Sequence, residues 1–159
     1  MILVLLGTQQ NDFSRLLKAV DKAIEKGKID EEVIVQAGST KYKSDKMKQF
    51  SLIPKDEIEQ LKKQAHLIIT HGGVGSIVSS IKMGKKVIAV PRMAEYGEHV
   101  NDHQIEIVES FAKKGYIIKV TNLDKFEEAL EQIKKFQPKE YISNTDKMIK
   151  IIADYIDYN

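Results

Sequence analysis

Short apolar runs alternate along this chain with segments in which apolar residues recur every three or four positions. The first run is Ile2–Leu6, and apolar residues then follow at helical spacing from Phe13 to Ile24. A continuous apolar run predicts a buried strand, and the wider spacing predicts a helix with one apolar face. Strands that alternate with helices are typical of a parallel sheet covered by helices.

The same alternation continues to the end of the sequence. Further strands are predicted at 32–37, near 50–53, and at 66–70, 86–90 and 116–120. Pro54 suits the first turn of a helix, Gly84 predicts the end of another, and a last helix is predicted at 143–158. Neither a repeat nor a linker interrupts the pattern. We therefore predict one Rossmann-like α/β domain over residues 1–159, with a parallel sheet flanked by helices.

Composition narrows the function classes. The 25 basic and 23 acidic residues leave a net charge of only +2, which argues against a dedicated nucleic-acid binder. The chain has no cysteine, so disulfides, iron–sulfur clusters and cysteine nucleophiles are excluded. Because no apolar run reaches the ~18 residues of a membrane span, we expect a cytoplasmic protein.

The strongest candidate for ligand binding is the turn His71–Ser76, between a predicted strand and a helix. It contains Gly72, Gly73 and Gly75, which let the backbone approach a ligand closely. The start of the next helix offers free N–H groups and a partial positive charge, so the turn favours a phosphate. The alternative is a glycine-rich turn that serves only tight packing. The turn is neither a complete dinucleotide fingerprint nor a Walker A loop.

Two further segments follow predicted strands, at the sheet edge where open α/β sheets bind ligands. The long polar segment Pro91–Gln104 contains Arg92 and two histidines, and we interpret it as a binding loop. The turn Gly7–Thr8 serves either a ligand or simply the entry into a helix.

The long segment also has a metal-binding interpretation. His99 and His103, together with Glu95 or Asp102, have a spacing that suits zinc or iron. That spacing works only if the helix already includes His99, whereas Asn101 or Asp102 resembles the helix N-cap. We therefore predict no metal site. A solvated loop with ordinary surface histidines remains the other alternative.

Four segments occur in an order and at a spacing that resemble a known family: Gly7-Thr8, His71–Ser76, Gly84–Pro91 and Asn101–Gln104. They resemble the carboxy-terminal, donor-binding half of the MurG-like family 28 glycosyltransferases, which have the GT-B fold. The resemblance covers about residues 1–120. The chain is most similar to the stand-alone catalytic subunit of two-part transferases that act on lipid-linked saccharides, in the version found in bacterial capsule and exopolysaccharide synthesis.

The resemblance implies a UDP-sugar donor. The residues then expected at the diphosphate or the sugar are Gly7, Thr8, His71, Gly72, Gly73, Gly75, Ser76, Arg92, His103 and Gln104. Ile53 would border the uracil. MurG-like enzymes place a ribose-binding glutamate where this chain has Ser79. Glu95 or Glu98 would have to supply that carboxylate from the loop.

The resemblance also implies the reaction: transfer of a hexose to a lipid-linked saccharide, with inversion and without a cofactor. We expect His99 to act as general base, since a neutral imidazole accepts a proton near pH 7. A separate membrane-anchored subunit would supply the acceptor domain and hold the chain at the inner face of the membrane. The isolated chain would self-associate. The alternatives are a non-catalytic nucleotide-sugar-binding subunit and a metal-dependent hydrolase that uses His99 and His103.

Overall fold

The computed structural model describes residues 1–142. Its six strands form one parallel sheet in the order β3-β2-β1-β4-β5-β6. The strands are β1 (Ile2–Leu5), β2 (Val33–Gln36), β3 (Lys48–Phe50), β4 (Leu67–His71), β5 (Lys86–Val90) and β6 (Ile118–Lys119). The helices are α1 (Ser14–Glu25), α2 (Lys55–Gln64), α3 (Val74–Lys82), α4 (His103–Lys113) and α5 (Phe126–Lys135). The predicted α/β class is confirmed.

Helices cover both faces of the sheet because successive residues of a strand point to opposite sides. Val4 of β1 belongs to the core that includes the apolar faces of α1 and α5. Its neighbour Leu3 belongs to the other core, with Ile77 of α3 and Phe111 of α4. With both faces covered, the central strands are continuously apolar, as the sequence pattern indicated.

Several predicted boundaries differ from the observed ones. The strand expected near 50–53 lies at Lys48–Phe50, and the strand expected at 116–120 is only Ile118–Lys119. Both are edge strands, which pair on one side only and are therefore short. The predicted helix at 143–158 lies outside the described residues. Within residues 1–142, no helix is both long and apolar enough to cross a membrane.

Candidate ligand-binding cleft

A cleft with a volume of about 510 Å³ opens at the carboxyl ends of β1, β2 and β4. The strand order reverses there, because the chain runs outward from β1 through β3 and then returns to the other side of β1 with β4. Open α/β sheets bind ligands at this kind of position. The cleft brings together seven of the predicted site residues: Gly7, Thr8, Ile53, His71, Gly75, Ser76 and Ser79.

A second cavity, of about 170 Å³, lies at the amino ends of the strands. Its lining includes the first residues of β1, β4 and β5, which are Ile2, Leu67 and Lys86. This edge is opposite to the one where parallel sheets bind ligands. We therefore place the candidate site in the larger cleft.

The imidazole of His71 occupies a space that glycines leave open. A Cβ atom on Gly7 would lie 2.6 Å from Nε2 of His71, and one on Gly73 would overlap the same ring. Gly7 also has a φ of +82°, which side chains other than glycine rarely adopt. The packing of the His71 ring therefore requires glycine at both positions, whether or not a ligand binds.

The amide of Gln104, in the first turn of α4, fixes the orientation of this ring. Oε1 of Gln104 accepts the backbone N–H groups of Gly72 and Arg92, each at 3.0 Å. The amide nitrogen must therefore be the atom that lies 3.2 Å from Nδ1 of His71, and it donates there. Both ends of the Gln104 amide are thus bonded within the chain, in place of the expected contact with the sugar or diphosphate.

Burial lowers the pKa of His71 from 6.5 to about 3, and the positive charge of Arg92 lowers it further. The ring is consequently neutral at physiological pH. Since Nδ1 accepts from Gln104, the ring proton lies on Nε2, which makes no hydrogen bond within residues 1–142. His71 lines the cleft and so presents a neutral N–H donor beside it.

The start of α3 forms another wall of the cleft. Gly73 precedes the helix, and no side chain caps it, so the first N–H groups lack intrahelical partners. A Cβ atom on Gly75 would meet nothing within 4 Å. The hydroxyl of Ser76 lies 2.8 Å from that of Thr70, which holds it at the end of β4. Backbone donors and one hydroxyl therefore face the space in front of Gly75.

The opposite side of the cleft belongs to α2 and the loop before it. Nζ of Lys62 donates to the hydroxyl of Ser79 at 2.6 Å and contacts Glu59 Oε1 at 3.3 Å. The Ser79 hydroxyl itself lies 3.3 Å from the carbonyl of Ser76, to which it donates. The Ser79 hydroxyl therefore both accepts and donates a hydrogen bond within the chain. Among the described residues that line the cleft, Glu59 supplies the only carboxylate, and Ile53 lines the cleft as well.

Arg92 lies in the interior, with an exposed fraction of zero. Its guanidinium donates to the carbonyls of Leu6 at 2.6 Å, Asn11 at 2.7 Å and Glu98 at 3.0 Å, and it lies 5.0 Å from the Phe13 ring. Burial lowers the pKa of Arg92 to about 10, which leaves it charged at neutral pH. A direct contact with a diphosphate would require the guanidinium to leave these carbonyls. Arg92 is therefore a structural cation in this conformation.

The loop residues of the predicted site lie outside the residues that line the cleft. Glu95 is exposed in a short 3-10 turn, Ala94–Tyr96. His99 is buried, its Nδ1 accepts the N–H of Asn101 at 3.3 Å, and burial lowers its pKa. Because α4 begins at His103, the two histidines do not share a helical turn.

That helix start removes the spacing on which the metal interpretation depended. Across residues 1–142, no three His, Asp or Glu side chains group closely enough to hold a metal ion. Glu98 does not supply a ribose contact either, since its carboxylate binds Arg15 at 2.8 Å and the N–H of Met93 at 3.1 Å.

Sequence reasoning missed Gln36, Glu59 and Lys62 as cleft residues. Gln36 ends β2, is buried, and donates to the Gly7 carbonyl at 3.2 Å. The signal for Gln36 was a polar residue at the carboxyl end of an apolar strand. For Glu59 and Lys62 the sequence offered only ordinary charges on an amphipathic helix.

The fold and the cleft define a class: an α/β domain with a cleft at the turning point of its parallel sheet. Residues 1–157 match the model of the glycosyltransferase family 28 C-terminal domain, and the chain belongs to this family. The expected MurG-like, GT-B relationship is thereby confirmed at the level of the family.

Two curated relatives are similar over part of the chain, and both are named UDP-N-acetylglucosamine transferase subunit ALG13. The Yarrowia lipolytica protein is 30% identical over 63 residues, which are 40% of this chain and 30% of that protein. The Mus musculus protein is 31% identical over 67 residues, which are 42% of this chain and 5% of that protein. The matched stretch thus spans less than a third of either relative.

Solved structures support the fold. An NMR structure of ALG13 superimposes with a TM-score of 0.60 at 19% identity, over 93% of this chain and 94% of that one. MurG of Acinetobacter baumannii gives a TM-score of 0.57 at 14% identity, over 95% of this chain and 49% of that one. The calicheamicin glycosyltransferase CalG4 gives 0.59 at 16%, over 95% and 37%.

Proposed function

We propose that this chain is the donor-binding subunit of a glycosyltransferase that takes a hexose from a UDP-sugar. The observation that carries the proposal is the meeting of the His71 N–H and the uncapped start of α3 at one cleft. Neutral N–H donors and a helix N-terminus suit the negative oxygens of a diphosphate. The name of the matched relatives, UDP-N-acetylglucosamine transferase subunits, supports a UDP-sugar.

In this proposal the diphosphate lies against Gly73, Gly75 and Ser76, and the nucleoside lies toward Ile53 and α2. Ribose hydroxyls need an acceptor, and the Ser79 oxygen is already bonded to Lys62. The side chain of Glu59 is 31% exposed, and only one of its oxygens contacts Lys62. We therefore propose Glu59 for the role that the sequence left to Ser79, Glu95 or Glu98.

The chemistry of the donor side follows from the same groups. When the bond between sugar and diphosphate breaks, negative charge develops on the departing diphosphate. Donors that already point at this position stabilise the charge without reorganisation, and electrostatic stabilisation of this kind is often the largest contribution to catalysis. We propose that the N–H groups of α3 and His71 supply it.

Transfer also needs a general base at the acceptor hydroxyl. His99 remains our candidate, and its lowered pKa keeps the ring neutral. However, Nδ1 accepts the Asn101 N–H, so the ring proton lies on Nε2 and neither nitrogen has a free lone pair. His99 can act as base only if the Asn101 contact opens. This geometry favours the second candidate function, a nucleotide-sugar-binding subunit whose base comes from a partner.

The acceptor and the setting are further parts of the proposal. We propose a lipid-linked saccharide as acceptor, a membrane-anchored subunit as partner, and a location at the inner face of the membrane. A role in capsule or exopolysaccharide synthesis is the process we propose. The support is that the matched relatives are named subunits and that the family model describes a C-terminal domain.

A thermal-shift series tests donor binding. UDP and UDP-sugars at 100 times their dissociation constant should stabilise the chain by ~2.7 kcal/mol. UMP should stabilise it far less at the same concentration, because it lacks the second phosphate. A Glu59→Gln variant should lose part of the gain with UDP but little with 2′-deoxy-UDP. A folded chain that no uridine diphosphate stabilises would contradict the proposal.

A further inference from the structure

Nδ1 and Nε2 of His71 have unlike surroundings, and the difference originates outside the cleft. Nδ1 faces the Gln104 amide, while Nε2 lies beside Gly7 with no partner in the described part of the chain. A neutral imidazole donates from one nitrogen and accepts at the other. The group that contacts Nδ1 therefore decides whether Nε2 presents an N–H donor or a lone pair to the cleft.

The Gln104 amide cannot rotate to reverse this assignment. If the amide flipped, its NH₂ group would face the N–H groups of Gly72 and Arg92, so that donors would oppose donors at both 3.0 Å contacts. The side chain of Gln104 is buried, so water cannot relieve such a clash. Two backbone donors thus fix the amide, and the amide fixes the ring.

We propose that Gln104 is a positioning residue that holds His71 in the tautomer whose N–H faces the cleft, so that the site presents a donor to hydrogen-bond acceptors such as phosphate oxygens there. The inference rests on the proposed function for the identity of the ligand, a nucleoside diphosphate. It extends that function by saying which residue selects the donor character of the site. Gln104 acts on the nucleoside diphosphate through His71.

The charged and titratable groups that act on His71 are few. The positive charge of Arg92 lowers the pKa of His71, and Arg92 stays protonated because its own pKa is about 10. His99 also acts on His71, and burial lowers the pKa of His99. Lys62 and Glu59 belong to the far wall of the same cleft. The comparison of Gln104→Glu with a control variant of equal charge separates the response of His71 from that of these neighbours.

Gln104→Glu is the discriminating variant. One carboxylate oxygen can still accept from Gly72 and Arg92, but the other has no proton to donate to Nδ1. The ring must then place its proton on Nδ1, which leaves a lone pair facing the cleft, or take up a second proton. UDP affinity should fall about tenfold to a hundredfold at pH 8 and recover toward pH 6, where the imidazolium restores the Nε2–H donor.

Two measurements make the test decisive. Nitrogen-15 NMR of the ligand-free wild type should show His71 protonated at Nε2 and bare at Nδ1, and Gln104→Glu should reverse this or show both protonated. UDP titrations from pH 6 to 8 are then compared with Gln132→Glu, which adds the same charge on the exposed side of α5.

A wild-type ring protonated at Nδ1 would overturn the proposal, and so would a loss of affinity in Gln104→Glu that does not change with pH. Failure of the wild type to bind UDP would instead overturn the proposed function, and the NMR result would still decide the tautomer.

Discussion

At the scale of single residues, the glycines of the cleft have different tasks. Gly7 and Gly73 make room for His71, and a Cβ atom on Gly72 would lie 2.8 Å from the Cβ of Gln104. Gly75 differs, since the space beside it is open and its φ is not positive. A side chain at 75 therefore intrudes on the ligand without disturbing the protein.

We predict that Gly75→Ala, Gly75→Val and Gly75→Leu weaken UDP binding in that order while the melting temperature stays within a few degrees of wild type. The reason is steric, because each larger side chain fills more of the space in front of the α3 N–H groups. Isothermal titration of UDP against the three variants measures the effect. Equal affinity across a folded series would mean that the diphosphate lies elsewhere.

A further prediction concerns the pH dependence of stability. The pKa of His71 is about 3 in the folded chain against an ordinary 6.5, so the unfolded chain takes up the proton first as the pH falls. The contribution of the neutral His71 ring to the free energy of unfolding is complete above pH 6.5. It is lost toward pH 3, at up to about 1.4 kcal/mol per pH unit.

Urea unfolding at pH 6.5, 6 and 5.5 measures this slope before most carboxylates titrate. His71→Asn retains an acceptor for the Gln104 amide but cannot gain the proton, so its free energy of unfolding should change less with pH. Identical slopes for wild type and variant would show that His71 is not held neutral.

The sequence alone located the glycine turn, but it did not show which hydrogen-bond partners the nearby polar side chains have within the protein. The glycine spacing of 71–76 and the strand before it predicted an anion site at the edge of the sheet where the cleft lies. The sequence did not predict that three of the expected site residues hydrogen-bond within the chain: Arg92, Gln104 and Ser79. Their partners come from segments far away along the chain. A polar side chain at a ligand-binding edge looks the same in sequence whether it binds the ligand or the protein.

At the scale of elements, the segment after β5 is held by two buried charges. Arg92 binds carbonyls of the β1 loop and of Glu98, while the Glu98 carboxylate binds Arg15 of α1 and the N–H of Met93. The centre of the Tyr96 ring lies 4.4 Å from the guanidinium carbon of Arg15. The segment that the sequence led us to interpret as a binding loop is therefore tied to α1 and to the end of β1.

We predict that Arg92→Lys lowers the free energy of unfolding by about 2–4 kcal/mol, because an ammonium cannot reach three carbonyls in the planar arrangement of a guanidinium. Chemical denaturation measures the loss. Arg15→Lys is the matched control: the Arg15 side chain is 22% exposed, so its replacement should cost less. A stable Arg92→Lys protein with impaired UDP binding would restore the direct diphosphate contact.

Element boundaries show where periodicity stops being informative. The helix that was expected to have its cap at Asn101 or Asp102 begins at His103, with Asp102 as the N-cap. The edge strand β3 was misplaced by about three residues, because its register depends on hydrogen bonds to β2. Those bonds pair Gln36 with Phe50, a contact that no local pattern contains.

At the scale of the whole molecule, the cleft is open to solvent. Its walls come from one α/β domain, and the face in front of Gly75 is open. Large apolar side chains beyond the core are also exposed, among them Leu52 beside the cleft and Val100 on the tied segment. A second protein surface could close over this edge.

We predict that the isolated chain binds UDP but transfers sugar slowly, and that co-expression with the proposed membrane-anchored subunit moves it to the membrane fraction and gives full activity. Val100→Ser should weaken that recruitment without changing UDP affinity, because Val100 is 81% exposed. Fractionation and a transfer assay measure both effects. Rapid transfer to a lipid-linked acceptor by the chain alone would refute the division of labour.

The open space beside Gly75 has a practical consequence. Since the chain lacks cysteine, Gly75→Cys would give the protein a single thiol, and this thiol would face the cleft. A small environment-sensitive dye attached there would sense the arrival of a nucleotide through its change in emission. The protein could then report its own occupancy, in solution or on a vesicle, without a radioactive sugar or a coupled enzyme.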